Sequence, residues 1–151
     1  MRMKMEMGVR LAVAVLCFSL VGISATTAQM KYKEGAVERV VLLHVLPGHF
    51  DAFMDDLKTN IVPIWEAQKK AGLIQDYQMF LNTTRSSGEE WDFGYSLIFK
   101  NMAALDGLPD KVYELRMKQY GSPSAEQKVI DKRVENVHIV SSYLPREITL
   151  R

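Results

Sequence analysis

The sequence changes its period at Pro47-Gly48, and this break constrains the fold more than any other feature. Before it, Val37 to Leu46 is a β-branched and leucine-rich run, apolar on both faces and too short for a helix. Such a run is expected to be a central strand. After it, Phe50, Phe53, Met54, Leu57, Ile61, Ile64 and Trp65 recur at spacings of three and four, until Ala71-Gly72 closes the segment. That is the spacing of a helix with one buried stripe. Asp51, Asp55 and Asp56 crowd its first turns and Lys69 and Lys70 its last, as the helix dipole favours. Pro63 removes one internal hydrogen bond and predicts a kink near Asn60.

Further on, Leu73–Asn82 and Trp91–Lys100 read as strands separated by the turn-rich TTRSSGEE. The second alternates, with Trp91, Phe93, Tyr95, Leu97 and Phe99 on one face and Asp92, Gly94, Ser96 and Ile98 on the other. Asn101 is expected to cap a short helix that Pro109 interrupts, with helix resuming from Lys111 to Tyr120. Ser122-Pro123 opens another, running to about Arg133, and Val134–Tyr143 is a last strand. Strand, helix, strand, strand, helix, strand predicts an α+β fold of ferredoxin-like βαββαβ type, a four-stranded antiparallel sheet with its helices on one face.

The first residues follow other rules. Arg2, Lys4 and Arg10 precede the apolar stretch Leu11 to Ile23, and small residues follow up to Ala28. The stretch is shorter than the roughly 20 residues that span a bilayer, so residues 1–28 read as a secretory signal peptide cleaved after Ala28. The expectation is a secreted or periplasmic protein with no stable membrane insertion once the signal is removed. A linker would occupy residues 29–35, the domain 36–146 and a tail 147–151. Cleavage removes three of the nineteen basic side chains, one of the eighteen acidic ones and the single cysteine. The near-neutral remainder argues against a nucleic-acid partner, which calls for clustered Lys and Arg. Lys132-Arg133 reads as a solvated helix face. With no thiol left, disulfides and cysteine chemistry are excluded from the mature chain.

With helices on one side only, the other side of the sheet is bare. Val40, Leu42, Leu46, Phe80, Ile98, Val134 and Val140 would make it apolar, and a patch of that kind marks an interface. A homodimer joined sheet to sheet would cover it. The order of elements, the acidic residues after LPGH and the FKNMAAL leading from third strand to second helix resemble the dimeric α+β-barrel superfamily over residues 36–145. Its small members include antibiotic-biosynthesis-monooxygenase-like and stress-responsive barrel proteins. The resemblance implies a dimer whose two sheets enclose a barrel, with a pocket between each sheet and its helices or inside the barrel. Haem-degrading members use a first-strand asparagine, a third-strand tryptophan and a histidine in the second half. Trp91 matches the second of these, but the first strand has no asparagine and the second helix no histidine.

Strand parity puts Val40, Leu42, His44 and Leu46 on the bare face and Val41, Leu43 and Val45 beneath the helices. His138 lies in the last strand, which neighbours the first in this fold, so His44 and His138 are expected to touch. They are the candidate catalytic pair, able to move protons near neutral pH or to contact a ligand. A metal would need a third ligand, with Asp76 and Asp92 nearest, and none is assigned. No cofactor is assigned either. His49, beyond the strand, is expected to serve the helix start or be solvated. Asn60, Trp65, Tyr77, Trp91 and Ser96 are the candidate ligand-binding residues for a small, partly apolar molecule. The alternatives are a cofactor-independent monooxygenase or isomerase with a histidine base, and haem or metal binding.

Overall fold

The computed structural model describes residues 30–84, 87, 88 and 90–151. The expected signal peptide, residues 1–28, lies outside the described residues. Strands β1 (Tyr32–Val45), β2 (Asp76–Leu81), β3 (Phe93–Phe99) and β4 (Val137–Tyr143) form an antiparallel sheet in the order β2-β3-β1-β4. This is the ferredoxin-like arrangement expected from the sequence. Helices α1 (Phe50–Asp56), α2 (Val62–Lys70), α3 (Leu108–Tyr120) and α4 (Pro123–Val134) complete it.

The expected alternation of β1 holds where it matters for packing. Val37, Val41, Leu43 and Val45 are buried with Phe93, Leu97, Phe99 and Val137 of the sheet, against Phe53, Leu57, Trp65 and Leu108 of the helices. Between α1 and α2 the chain makes a π-helical turn, Leu57–Ile61, where the kink was expected. Pro63 offers no N–H to the carbonyl of Thr59, and the amide of Gln119 approaches that carbonyl at 3.4 Å instead. The Tyr120 hydroxyl donates to the next carbonyl, that of Asn60, at 3.1 Å.

Several boundaries differ from expectation. Residues 32–35, expected as linker, belong to β1, and most of the expected tail forms a fifth strand, β5 (Arg146–Leu150). Tyr32 pairs with Leu150, Lys33 with Thr149 and Glu34 with Ile148, and Arg146 adds an ion pair to Glu34. Neither segment has an apolar run to announce a strand; each satisfies the other's backbone groups. Pro109 does not interrupt a helix but sits in the first turn of α3, where its missing N–H costs nothing. Val134, assigned to the bare sheet face, ends α4 and is 64% exposed. Leu42 pairs with Ser141 but Leu43 with Ile139, so Val140 is the extra residue of a β-bulge and Ser142 lies opposite Val41.

Candidate functional site

The two faces of the sheet carry different chemistry. On the face away from the helices, His44 pairs directly with His138 across β1 and β4, and their ring centroids are 5.0 Å apart at 55°. His44 is buried and His138 exposed. The Nδ1 of His44 lies 2.9 Å from Asp92 Oδ2 and 3.1 Å from the Glu90 carbonyl oxygen. Two oxygens facing Nδ1 fix the proton there and leave Nε2 as the basic nitrogen of the neutral ring. Asp92 is itself positioned by the sheet. Its backbone N–H donates to Leu43 O at 2.8 Å, and its Oδ2 accepts the Val45 N–H at 2.7 Å, beyond the end of β3. A carboxylate, a buried imidazole and an exposed imidazole therefore follow one another on this face.

On the opposite side, a cavity of about 470 Å³ opens between the sheet and α2, α3 and α4. Trp65, Tyr95, Leu97, Phe99, Leu108 and Val112 supply its apolar walls. The Trp65 ring lies 4.7 Å from that of Tyr95 and 5.3 Å from that of Tyr77, forming one aromatic cluster. Arg39, Arg116, Arg133, Tyr120, Gln68 and Glu126 bring polar groups to the same space. Burial holds the Tyr95 hydroxyl above its ordinary pKa, with the positive charges of Arg39 and Arg133 pulling the other way. Arg133, expected to be solvated, instead donates from Nε to Asp56 Oδ2 at 2.5 Å. Burial works against its charge, but the bond to Asp56 and that carboxylate's charge outweigh it, and its pKa stands above the usual guanidinium value.

The predicted site residues are thus divided between the two faces. Trp65 lines the helix-side cavity and Tyr77 lies beside it with the rings tilted at 45°, its hydroxyl hydrogen-bonded to Glu66. Ser96 is 2% exposed in mid-strand, opposite Val40 and Gln78 on the histidine side. Trp91 does not join the Trp65 cluster. It precedes the start of β3, so strand parity does not govern it, and its ring meets Phe80 edge-on at 5.7 Å. Phe80 in turn covers Gly94, where any Cβ would run into the ring. Asn60 belongs to a separate groove of about 540 Å³ between α1 and α4, its amide donating to Asp56 at 2.8 Å. His44 and His138 line neither cavity.

Asp76 sits away from the histidines and pairs with Lys69 at 2.8 Å, a bond that lowers its pKa. Among the described residues no group of three His, Cys, Asp or Glu side chains is arranged to hold a metal ion, and no helix is long and apolar enough to cross a membrane. His49 is half-buried rather than solvated and donates from Nδ1 to Asn136 Oδ1 at 2.7 Å, tying the start of α1 to the turn before β4. His49→Ala is therefore expected to lower stability by about 1 kcal/mol, the net worth of such a bond, measured by urea denaturation.

Asp92, weighed from the sequence only as a metal ligand near the histidines, is the partner of His44, and the three arginines at the cavity were not anticipated. The signal for Asp92 was a carboxylate on the same strand face as Ser96; for Arg39 it was a lone cation inside an apolar strand. No family model matches the chain, and no curated protein matches it. Among solved structures it is similar to a dimeric ferredoxin-like protein from an uncultured marine organism, at 8% identity and a TM-score of 0.46, covering 79% of this chain and 90% of the other. A second such protein, from Jannaschia sp. CCS1 and of unknown function, is 15% identical with a TM-score of 0.42, covering 75% of this chain and 98% of the other. A dimeric protein of unknown function and ferredoxin-like fold from Bacteroides fragilis NCTC 9343 is 14% identical with a TM-score of 0.41, covering 76% of this chain and 96% of the other.

Proposed function

We propose that the protein is an exported homodimer that holds a small, partly apolar molecule in the cavity between its sheet and its helices. The observation that carries this reading is the cavity itself, about 470 Å³ walled by Trp65, Tyr95 and aliphatic side chains with a few polar groups among them. Small-molecule sites have this size and this mixture. The opposite face supports the dimer. Val40, Leu42, Ile98 and Phe80 lie on it without helices to cover them, and Val140 and Tyr143 at its edge are 44% and 54% exposed. Export rests on the basic, apolar and small-residue order of residues 1–28.

Filling the cavity tests its role. Val112→Trp is expected to abolish the fluorescence rise of N-phenyl-1-naphthylamine that the wild-type protein produces, with circular dichroism unchanged. A full-strength rise in the variant would place the probe elsewhere and refute the reading.

A second reading is favoured by the alignment of Asp92, His44 and His138. Asp92 orients His44 with its Nε2 available, which is the arrangement of a general base. The probe is acetylacetone, an enolisable diketone, in deuterium oxide. Wild-type protein should accelerate exchange of its central protons and His44→Gln should not, while equal rates for the two proteins would remove this reading.

A further inference from the structure

Resting on the cavity reading above, we infer that the molecule held there is an organic acid: a planar, mostly apolar body carrying one anionic group that Arg39 and Arg116 receive. The charges around the cavity are unevenly matched. Of the four charged side chains lining it, three are arginines and one is Glu126. Arg133 is committed to Asp56. Glu126 is buried at 8% exposure and stands against Arg116, its Oε1 3.1 Å from Nε. That contact is out of line for a hydrogen bond, and Arg116 Nε, fully buried, has no acceptor among the described residues. Arg39 forms no ion pair among them.

Arg39 also occupies an unusual place. It lies in β1 between Val37 and Val41, opposite Leu97, on the face the helices cover. At each neighbouring position of that face the strand places an apolar core residue, whereas here it points a guanidinium at the mouth of the cavity. Arg39, exposed and without an ion pair among the described residues, keeps its donors free for an acceptor at the cavity mouth, and Arg116, whose Nε is closed to solvent, adds its charge beside them. A guanidinium is flat, always charged and forked, so it suits a carboxylate or sulfonate above other groups. The Trp65 and Tyr95 rings that line the same cavity suit a planar body.

The probes are 8-anilinonaphthalene-1-sulfonate and N-phenyl-1-naphthylamine, which share one body and differ by the anionic group. Titrated by fluorescence into the full chain, the anion is expected to bind about tenfold or more tighter than the neutral probe, as a charged hydrogen bond provides. Arg39→Met should erase that difference and leave the neutral probe's affinity unchanged. Because Arg39 is exposed, this variant is expected to fold; Arg116→Met should act in the same direction. Equal affinities in wild type, or a preference for the anion that survives Arg39→Met, would overturn the inference while leaving the cavity as a neutral-ligand site. If neither probe binds, or both bind undiminished to Val112→Trp, the cavity reading fails and this inference with it.

Discussion

Leu42→Asp is expected to convert a dimer into a folded monomer. Leu42 lies at the centre of β1 on the face without helices, paired with Gly94 on one side and Ser141 on the other. It is half-buried in the single chain, so a carboxylate there can reach water and the subunit itself should survive. In a sheet-to-sheet dimer the same carboxylate would be sealed among Val40, Ile98 and their counterparts. Burying an unpaired charge costs several kcal/mol, and about 3 kcal/mol already weakens association more than a hundredfold. Sedimentation of the wild type at micromolar concentration should give a dimer, and of Leu42→Asp a monomer with an unchanged circular dichroism spectrum. A well-folded wild-type monomer would refute the assembly.

Phe53→Ala should have the largest effect on stability, about 3–5 kcal/mol by the usual cost of removing a buried ring. Phe53 is fully buried in α1 and meets Phe93 of β3 edge-on, with centroids 5.2 Å apart at 75°. It joins the first helix to the middle of the sheet, so no neighbour can close the gap without moving one layer against the other. Chemical denaturation measures the loss. A change under about 0.5 kcal/mol, typical of surface positions, would mean that the helices are seated otherwise.

Much of this was legible in the residues because side-chain period reports burial. Val41, Leu43 and Val45 against His44 separated the two faces of β1, and the neighbour relation of first and last strands brought His138 to His44. Features that depend on backbone satisfaction were not legible. The pairing of Tyr32–Glu34 with Ile148–Leu150 has only the short alternation Ile148-Thr149-Leu150 to announce it, and the bulge at Val140 shifts parity without altering composition. Asp92 stands in for a strand beyond the end of β3, a role invisible without the register. Arg116 and Arg133 look like any other exposed helical cations in sequence. Only the packing of α3 and α4 over the sheet turns them inward, to Glu126 and Asp56.

The two tryptophans report on opposite sides of the sheet, Trp65 in the helix-side cavity and Trp91 against Phe80. A ¹H–¹⁵N spectrum recorded during titration with N-phenyl-1-naphthylamine therefore reads directly which side of the sheet holds the ligand. A ligand in the helix-side cavity should shift the Trp65 indole N–H and the amides of Tyr95, Leu97 and Val112 progressively, while the Trp91 indole and the amide of His138 stay in place. Movement of Trp91 and His138 with Trp65 unmoved would contradict this placement and put the ligand on the histidine face.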